Sequence, residues 1–349
     1  MNASYRRAFA VMSIIMASAI LVAQSQADPL PGRDLLKFQQ KPMIATPIVN
    51  SQGQVQTFLG HDELSTAYGF GTAVGPPQDY SGRFMADDFS DKLSSPVVHV
   101  KWWGSYHNDF INPQMPVNKF LIAFESDVPS PPAQFSTPGQ VLQSDVVNRA
   151  NVLTPGSGLF TEKLIRGPDP IFNESLYEYN AELHLNNAFF EKADTVYWLK
   201  IAALVDAPPG ITFPTNAPPP FVTQWGWHNR DYTIKDTLAS NVPSPGEFVD
   251  GTVNGTNIWH FQDDSVQGDL RFLPFVAPTP LIFQNNMSPQ FYVDFADGPG
   301  PTTVGIPGIG SHSKDLAFEL YTTVPEPATC LLLVSASLGL ALNHRRRGR

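Results

Sequence analysis

One cysteine, Cys330, stands among 349 residues, so a disulfide framework and a cysteine-built zinc site are both excluded. Charge is scarce as well: Asp, Glu, Lys and Arg make up only 15% of the chain, against a usual ~25%. Basic residues are the scarcer kind, 22 against 32 acidic, for a net charge of −10. That balance excludes nucleic acid or an anionic membrane as the main partner of the folded body. Helix-compatible stretches are short, because 33 prolines and 25 glycines interrupt them, and a helical bundle is excluded. No period of roughly 20–50 residues repeats, which argues against propellers and solenoids. The nucleophile, phosphate and dinucleotide motifs G-x-S-x-G, G-x-x-x-x-G-K-[ST] and G-x-G-x-x-G are missing. The eight histidines show no ligand spacing such as H-E-x-x-H. What is present is enough apolar material, 42% of residues, to bury a core.

The two ends read as addresses. Arg6 and Arg7 precede an uncharged run from Ala8 to Ala23, and Ser25-Gln26-Ala27 supplies small residues at a cleavage site. This is the order of a secretory signal peptide over residues 1–27, with an uncut N-terminal anchor as the alternative. At the other end, Val324-Pro325-Glu326-Pro327 leads into an apolar stretch that runs to Leu342, and Arg345, Arg346, Arg347 and Arg349 follow. As a helix, the stretch from Ala328 to Leu342 is about 22 Å long, short for a ~30 Å hydrocarbon layer unless the arginines snorkel. Its basic end favours the cytoplasmic side. Six of the 22 basic residues and one of the 32 acidic residues lie in these two ends, so the remaining body is near −15.

The order of tripeptide, Leu-rich helix and terminal arginines over residues 324–349 resembles the PEP-CTERM protein-sorting signal. In that family the tail is recognised by an exosortase, a membrane transpeptidase, in bacteria that make extracellular polysaccharide. The resemblance implies Pro325, Glu326, Pro327, Arg345, Arg346 and Arg347 as the sorting motif. It also implies export through the secretion machinery and transient membrane anchoring by the C-terminal helix. Cleavage near Pro325-Glu326-Pro327 and residence at the cell surface or in the extracellular matrix would follow.

Between the ends, short alternating segments alternate with Pro/Gly-rich turns. Residues 28–83 read as an irregular arm with one strand near Val55–Leu59. From Phe84 the pattern sharpens, with strands expected at Val97–Trp103, Lys119–Glu125, Leu176–Leu185 and Val196–Val205. The last of these is nearly continuous and is expected to be central. Further strands are expected at Phe221–Trp227, Asn257–Phe261, Gly268–Val276, Gln290–Ala296 and Ala317–Thr322. Many short strands and no alternating helices predict an all-β, antiparallel sandwich or jelly roll over residues 84–323, flanked by a signal helix and a membrane helix. No linker divides this body.

Within it, Met85-Ala-Asp-Asp-Phe89, Val100-Lys-Trp-Trp-Gly104 and Phe124-Glu-Ser-Asp-Val-Pro129 are similar to a domain of unknown function found in exported bacterial proteins. Tyr197-Trp-Leu199, Trp225-Gly-Trp227 and Trp259-His-Phe-Gln-Asp-Asp264 continue the same order, so the resemblance spans Phe84 to about Val276. It implies one module and no activity.

Three sets of residues could carry chemistry. Trp102, Trp103, Trp225 and Trp227 are candidates for stacking on sugar rings, with core packing as the alternative. Adjacent Trp102 and Trp103 must face opposite sides of their strand, whereas Trp225 and Trp227 share a side. The pairs Asp87-Asp88 and Asp263-Asp264, with Asp294 and Asp297 later, are the hard oxygen donors calcium takes, although no D-x-D-x-D-G loop is present. Capping of turns is their alternative role. No other cofactor is indicated. Glu125, Asp127 and Glu178 are carboxylates a glycosidase could use, but nothing in the pattern selects them, and no catalytic residue is assigned. Two functions stay open: a non-catalytic surface or matrix protein with polysaccharide as its ligand, and a secreted glycosidase-like hydrolase acting on that polysaccharide.

Overall fold

Eighteen strands carry nearly all the regular structure of the described residues, with one 3-10 turn, Leu185–Asn187, and no α-helix. The structure is a computed structural model that describes residues 34–49, 55–70, 79–107, 115–130, 135–150, 157–168, 174–207, 223–240, 246–253, 256–262, 265–275, 280–289 and 315–323. The first strands are β1 (Asp34–Gln40), β2 (Thr46–Val49), β3 (Val55–Phe58), β4 (Asp62–Leu64), β5 (Thr66–Phe70) and β6 (Tyr80–Phe89). Then come β7 (His99–Tyr106), β8 (Lys119–Val128), β9 (Thr137–Arg149), β10 (Leu159–Arg166), β11 (Leu176–Glu182) and β12 (Tyr197–Ala207). The last are β13 (Trp225–His228), β14 (Phe248–Val253), β15 (Thr256–His260), β16 (Val266–Leu273), β17 (Leu281–Pro289) and β18 (Phe318–Thr323). Residues 36–322 form one compact unit. The signal segment, the Pro-Glu-Pro tail with its arginines, and the strand expected at Gln290–Ala296 lie outside the described residues. Among the described residues no helix is long and apolar enough to cross a membrane.

Fourteen strands join one sheet, whose main order is β1-β18-β7-β11-β10-β9-β8-β12-β5-β6-β16-β17. The sheet is mixed, not purely antiparallel as the sequence suggests. The cause lies at β12. Its first half pairs antiparallel with β6, and β6 pairs antiparallel with β5. When β5 then takes up the second half of β12, it must run parallel to it. A shorter parallel contact joins β9 and β10. As expected, β12 is central, held by β8 on its other side.

Period-2 alternation divides the side chains between two cores. Phe120, Ile122 and Phe124 of β8 and Leu199 and Ile201 of β12 point to the inner face, where they meet Trp102, Tyr179, Trp225 and Phe318. The rings of Trp102 and Phe120 are 5.1 Å apart although β11, β10 and β9 separate their strands. Phe89 of β6 and Phe318 of β18 meet at 6.3 Å. The sheet therefore curls around a shared aromatic interior. On the outer face, Leu121, Trp198 and Ala202 pack with Phe84, Leu270 and Phe272, and Val146 of β9 and Ile282 of β17 border the same cluster. Each large side chain removed from water in this way stabilises the fold by about 1.5–3 kcal/mol.

The segment read as an irregular arm contributes β1 to β5, and β1, β4 and β5 join the large sheet. Of these, β2 to β5 are only three to five residues long, too short for alternation to show in sequence. β18 lies between β1 and β7. It is secured just before its start: Leu316 N–H donates to Asp87, and Ala317 N–H to the His228 carbonyl at 2.8 Å.

Candidate functional site

A groove of about 980 Å³ opens on the outer face, between residues 139–148 of β9 and the β16–β17 hairpin. Three polar arrangements line or underlie it. In the first, Lys119 Nζ donates to Asp206 Oδ1 at 2.7 Å and to the Tyr80 hydroxyl at 2.6 Å. Tyr80 in turn donates to Asp206 at 2.6 Å. Burial, together with Asp206, pushes the Tyr80 phenol far above its ordinary range.

In the second, Asp145 accepts from the His184 backbone N–H at 2.7 Å and also bonds its Nδ1. The imidazole lies against Gly158, where φ is +74° and a Cβ would collide with the ring, so both the conformation and the space require glycine. Asn187 of the 3-10 turn donates to the Ser144 carbonyl at 2.9 Å, which ties this wall to β9.

The third lies beneath. Lys200, on the outer face of β12, donates to Glu125 of β8 and to Gln284 of β17. Both side chains of the ion pair are fully buried. Burial lowers the Lys200 pKa, and Glu125 raises it only in part. The Lys200 ammonium is also 4.2 Å from the centroid of Phe84. Gln284, which lines the groove, donates across it to the Pro138 carbonyl at 3.2 Å. One amide thus links the hairpin, β9 and the buried pair.

Of the candidates read from sequence, only Glu125 lies at the groove, in the buried pair beneath it. Trp102, Trp103, Trp225 and Trp227 are 0%, 4%, 0% and 0% exposed, so none presents a face to a sugar ring. Trp102 stacks on Tyr179 with centroids 5.4 Å apart, and Trp227 Nε1–H donates to the Ala317 carbonyl at 2.9 Å. Trp102 and Trp103 do point to opposite sides, and Trp225 and Trp227 share one, but every one of these sides is covered. Stacking on ligand is therefore corrected to packing.

Asp87 and Asp88 are also fully buried. Burial and the nearby Asp315 carboxylate drive the Asp87 pKa well above the carboxylate range, which disfavours the ionised form that calcium needs. Asp87 instead accepts from the N–H groups of Leu316 and Asp88, and it neighbours a buried ionic cluster. There Arg230 donates to Asp315 at 2.8 Å and to Glu247 at 2.9 Å. Asp263, Asp264, Asp294 and Asp297 lie outside the described residues. Among the described residues, no group of three or more His, Cys, Asp or Glu side chains is placed to hold a metal ion.

Of the three glycosidase carboxylates, Glu125 is the buried partner of Lys200, and Asp127 accepts from Trp198 Nε1–H at 2.9 Å. Glu178 lies 3.7 Å from Lys101. The groove residues Lys119 of β8, Gln143 and Asp145 of β9, His184 after β11 and Gln284 of β17 are far apart in the chain and match no motif. One signal was readable: Lys200 is the single charge inside the apolar run Val196–Val205.

A family model described as a domain of unknown function (DUF7901) matches residues 36–291. The match begins well before Phe84 and takes in β2 to β5 and most of β1. No curated protein and no solved structure matches.

Proposed function

The chain belongs to the DUF7901 family, whose description carries no activity, and we propose that it is an exported, non-catalytic surface or matrix protein that binds polysaccharide in the outer groove. The groove is the observation that carries this reading. Its volume of about 980 Å³ is at the top of the ~300–1,000 Å³ range of small-molecule sites and suits several linked sugar units. Amide side chains and partly exposed apolar side chains share its walls. Delivery is assigned to the two ends: a signal peptide over residues 1–27 and an exosortase-type sorting tail over residues 324–349, with sandwich-like closure of the body between them. Retention of the full-length protein on immobilised polysaccharide tests the binding. Fractionation of cells in which Pro325, Glu326, Pro327 and Arg345–Arg347 are neutralised tests the delivery. Unchanged maturation and location would reject the sorting assignment.

One observation favours a second reading, hydrolysis of the same polysaccharide. Asp145 holds His184 through Nδ1 at the groove wall, an arrangement suited to general-base activation of water. Its test is time-dependent release of reducing ends that His184→Ala abolishes. No release leaves the non-catalytic reading in place.

A further inference from the structure

Building on the groove as the binding site, we infer that its ligand is a neutral glycan, a chain of uncharged sugars, and not a uronic or sulfated one. The charges at the walls are already matched. Lys119 is held by both oxygens of Asp206 at 2.7 and 2.9 Å, and His184 is bonded to Asp145. Beside the hairpin, Arg271 is taken by Asp79 at 2.9 Å and Arg83 by Asp269 at 2.7 Å. A polyanion would gain no unmatched cation here, and it would approach a body carrying a net charge near −15.

The unmatched groups are uncharged. Gln143 lines the groove, but its Nε2 is buried and its position opposite Phe124 turns the side chain toward the inner face, so it is not one of them. Gln140 and Asn148 are exposed along the same strand. An amide can donate and accept at once, as sugar hydroxyls require, and it imposes no charge preference. Phe275 and Leu142, 62% and 46% exposed, add apolar surface for the C–H faces of sugar rings.

The test is calorimetric titration of the full-length protein with soluble neutral glycans (a β-glucan, a mannan and an α-glucan) and with polygalacturonate and alginate. Binding to at least one neutral glycan is expected, with none to the acidic pair. Phe275→Ala and Asn148→Ala should each weaken that binding about tenfold, with an unchanged melting temperature confirming the fold. Gln140→Ala, at a second exposed position, serves if Asn148→Ala fails to fold. Acidic binding that Phe275→Ala weakens would overturn the neutral class and keep the groove. Neutral binding unmoved by these variants would place the site elsewhere and overturn the inference. Absence of binding to every glycan would overturn the polysaccharide reading itself.

Discussion

β8 and β12 present two faces that follow different rules. Inward they offer Phe120, Ile122, Phe124, Leu199 and Ile201, all in the aromatic interior. Outward they offer Leu121, Trp198 and Ala202, but also Glu125 and Lys200. The inner face is closed and apolar, and it holds the sheet in its curl. The outer face hides an ion pair under a groove. A buried ion pair is seldom more stabilising than well-packed apolar side chains of equal volume. The contribution of Lys200 and Glu125 is therefore positional: they fix Gln284, and through it the distance between β9 and the hairpin. One face maintains the fold, and the other maintains a surface.

Removing mass from the inner face should have the largest effect. Trp102→Ala is expected to cost about 3–5 kcal/mol, measured by urea unfolding, and a loss under about 1 kcal/mol would break the comparison. On the outer face, Lys200→Met should cost nearly as much, about 3 kcal/mol or more, because it leaves Glu125 buried and unpaired. The paired replacement Lys200→Met with Glu125→Leu should recover most of that loss, and failure to recover it would show that the pair itself stabilises the fold.

Asp236 gives a pH handle near the inner core. Burial raises its pKa to about 6. Its contribution is thus fully present below about pH 4 and is lost as pH rises through about 6, on the order of 1–3 kcal/mol in all. Asp236→Asn should flatten the fall of the melting temperature across that window. Smaller again is Gln284→Ala, expected to cost about 1 kcal/mol and to speed amide exchange in β17 more than in β8. Equal acceleration in both strands would deny Gln284 its linking role. The smallest change is expected at the rim, where Leu142→Ala should alter stability by no more than about 0.5 kcal/mol.

The same contrast explains what could be read from residue order. Lys119–Glu125 and Val196–Val205 announced themselves because one face of each is continuously apolar, and β8 and β12 occupy those positions. β9 gave no such signal: Thr137-Pro-Gly-Gln-Val-Leu-Gln-Ser-Asp mixes turn formers with polar residues, because part of it borders the groove. The tryptophans misled for a related reason. Alternation correctly separated Trp102 from Trp103, but alternation cannot say that both faces of β7 are covered. Coverage depends on Trp225, Leu176 and Ala317 arriving from distant parts of the chain. Direction within the sheet was likewise invisible, since the parallel run of β5 follows from two successive antiparallel pairings and from no property of Thr66–Phe70 itself. The groove was least legible, because its polar residues are brought together only by register.

The position of β18 has a mechanical consequence. This strand leads into residues 324–349 and lies between β1 and β7, with Asp315, Leu316 and Ala317 bonded to Arg230, Asp87 and His228 at its entry. A pull applied beyond Thr323 would run along the strand and strain its ladder bonds in shear, all at once, where a peripheral strand would peel open one bond at a time. A protein tethered by that end would pass tension to a strand clasped on both sides, one place in from the rim of its sheet.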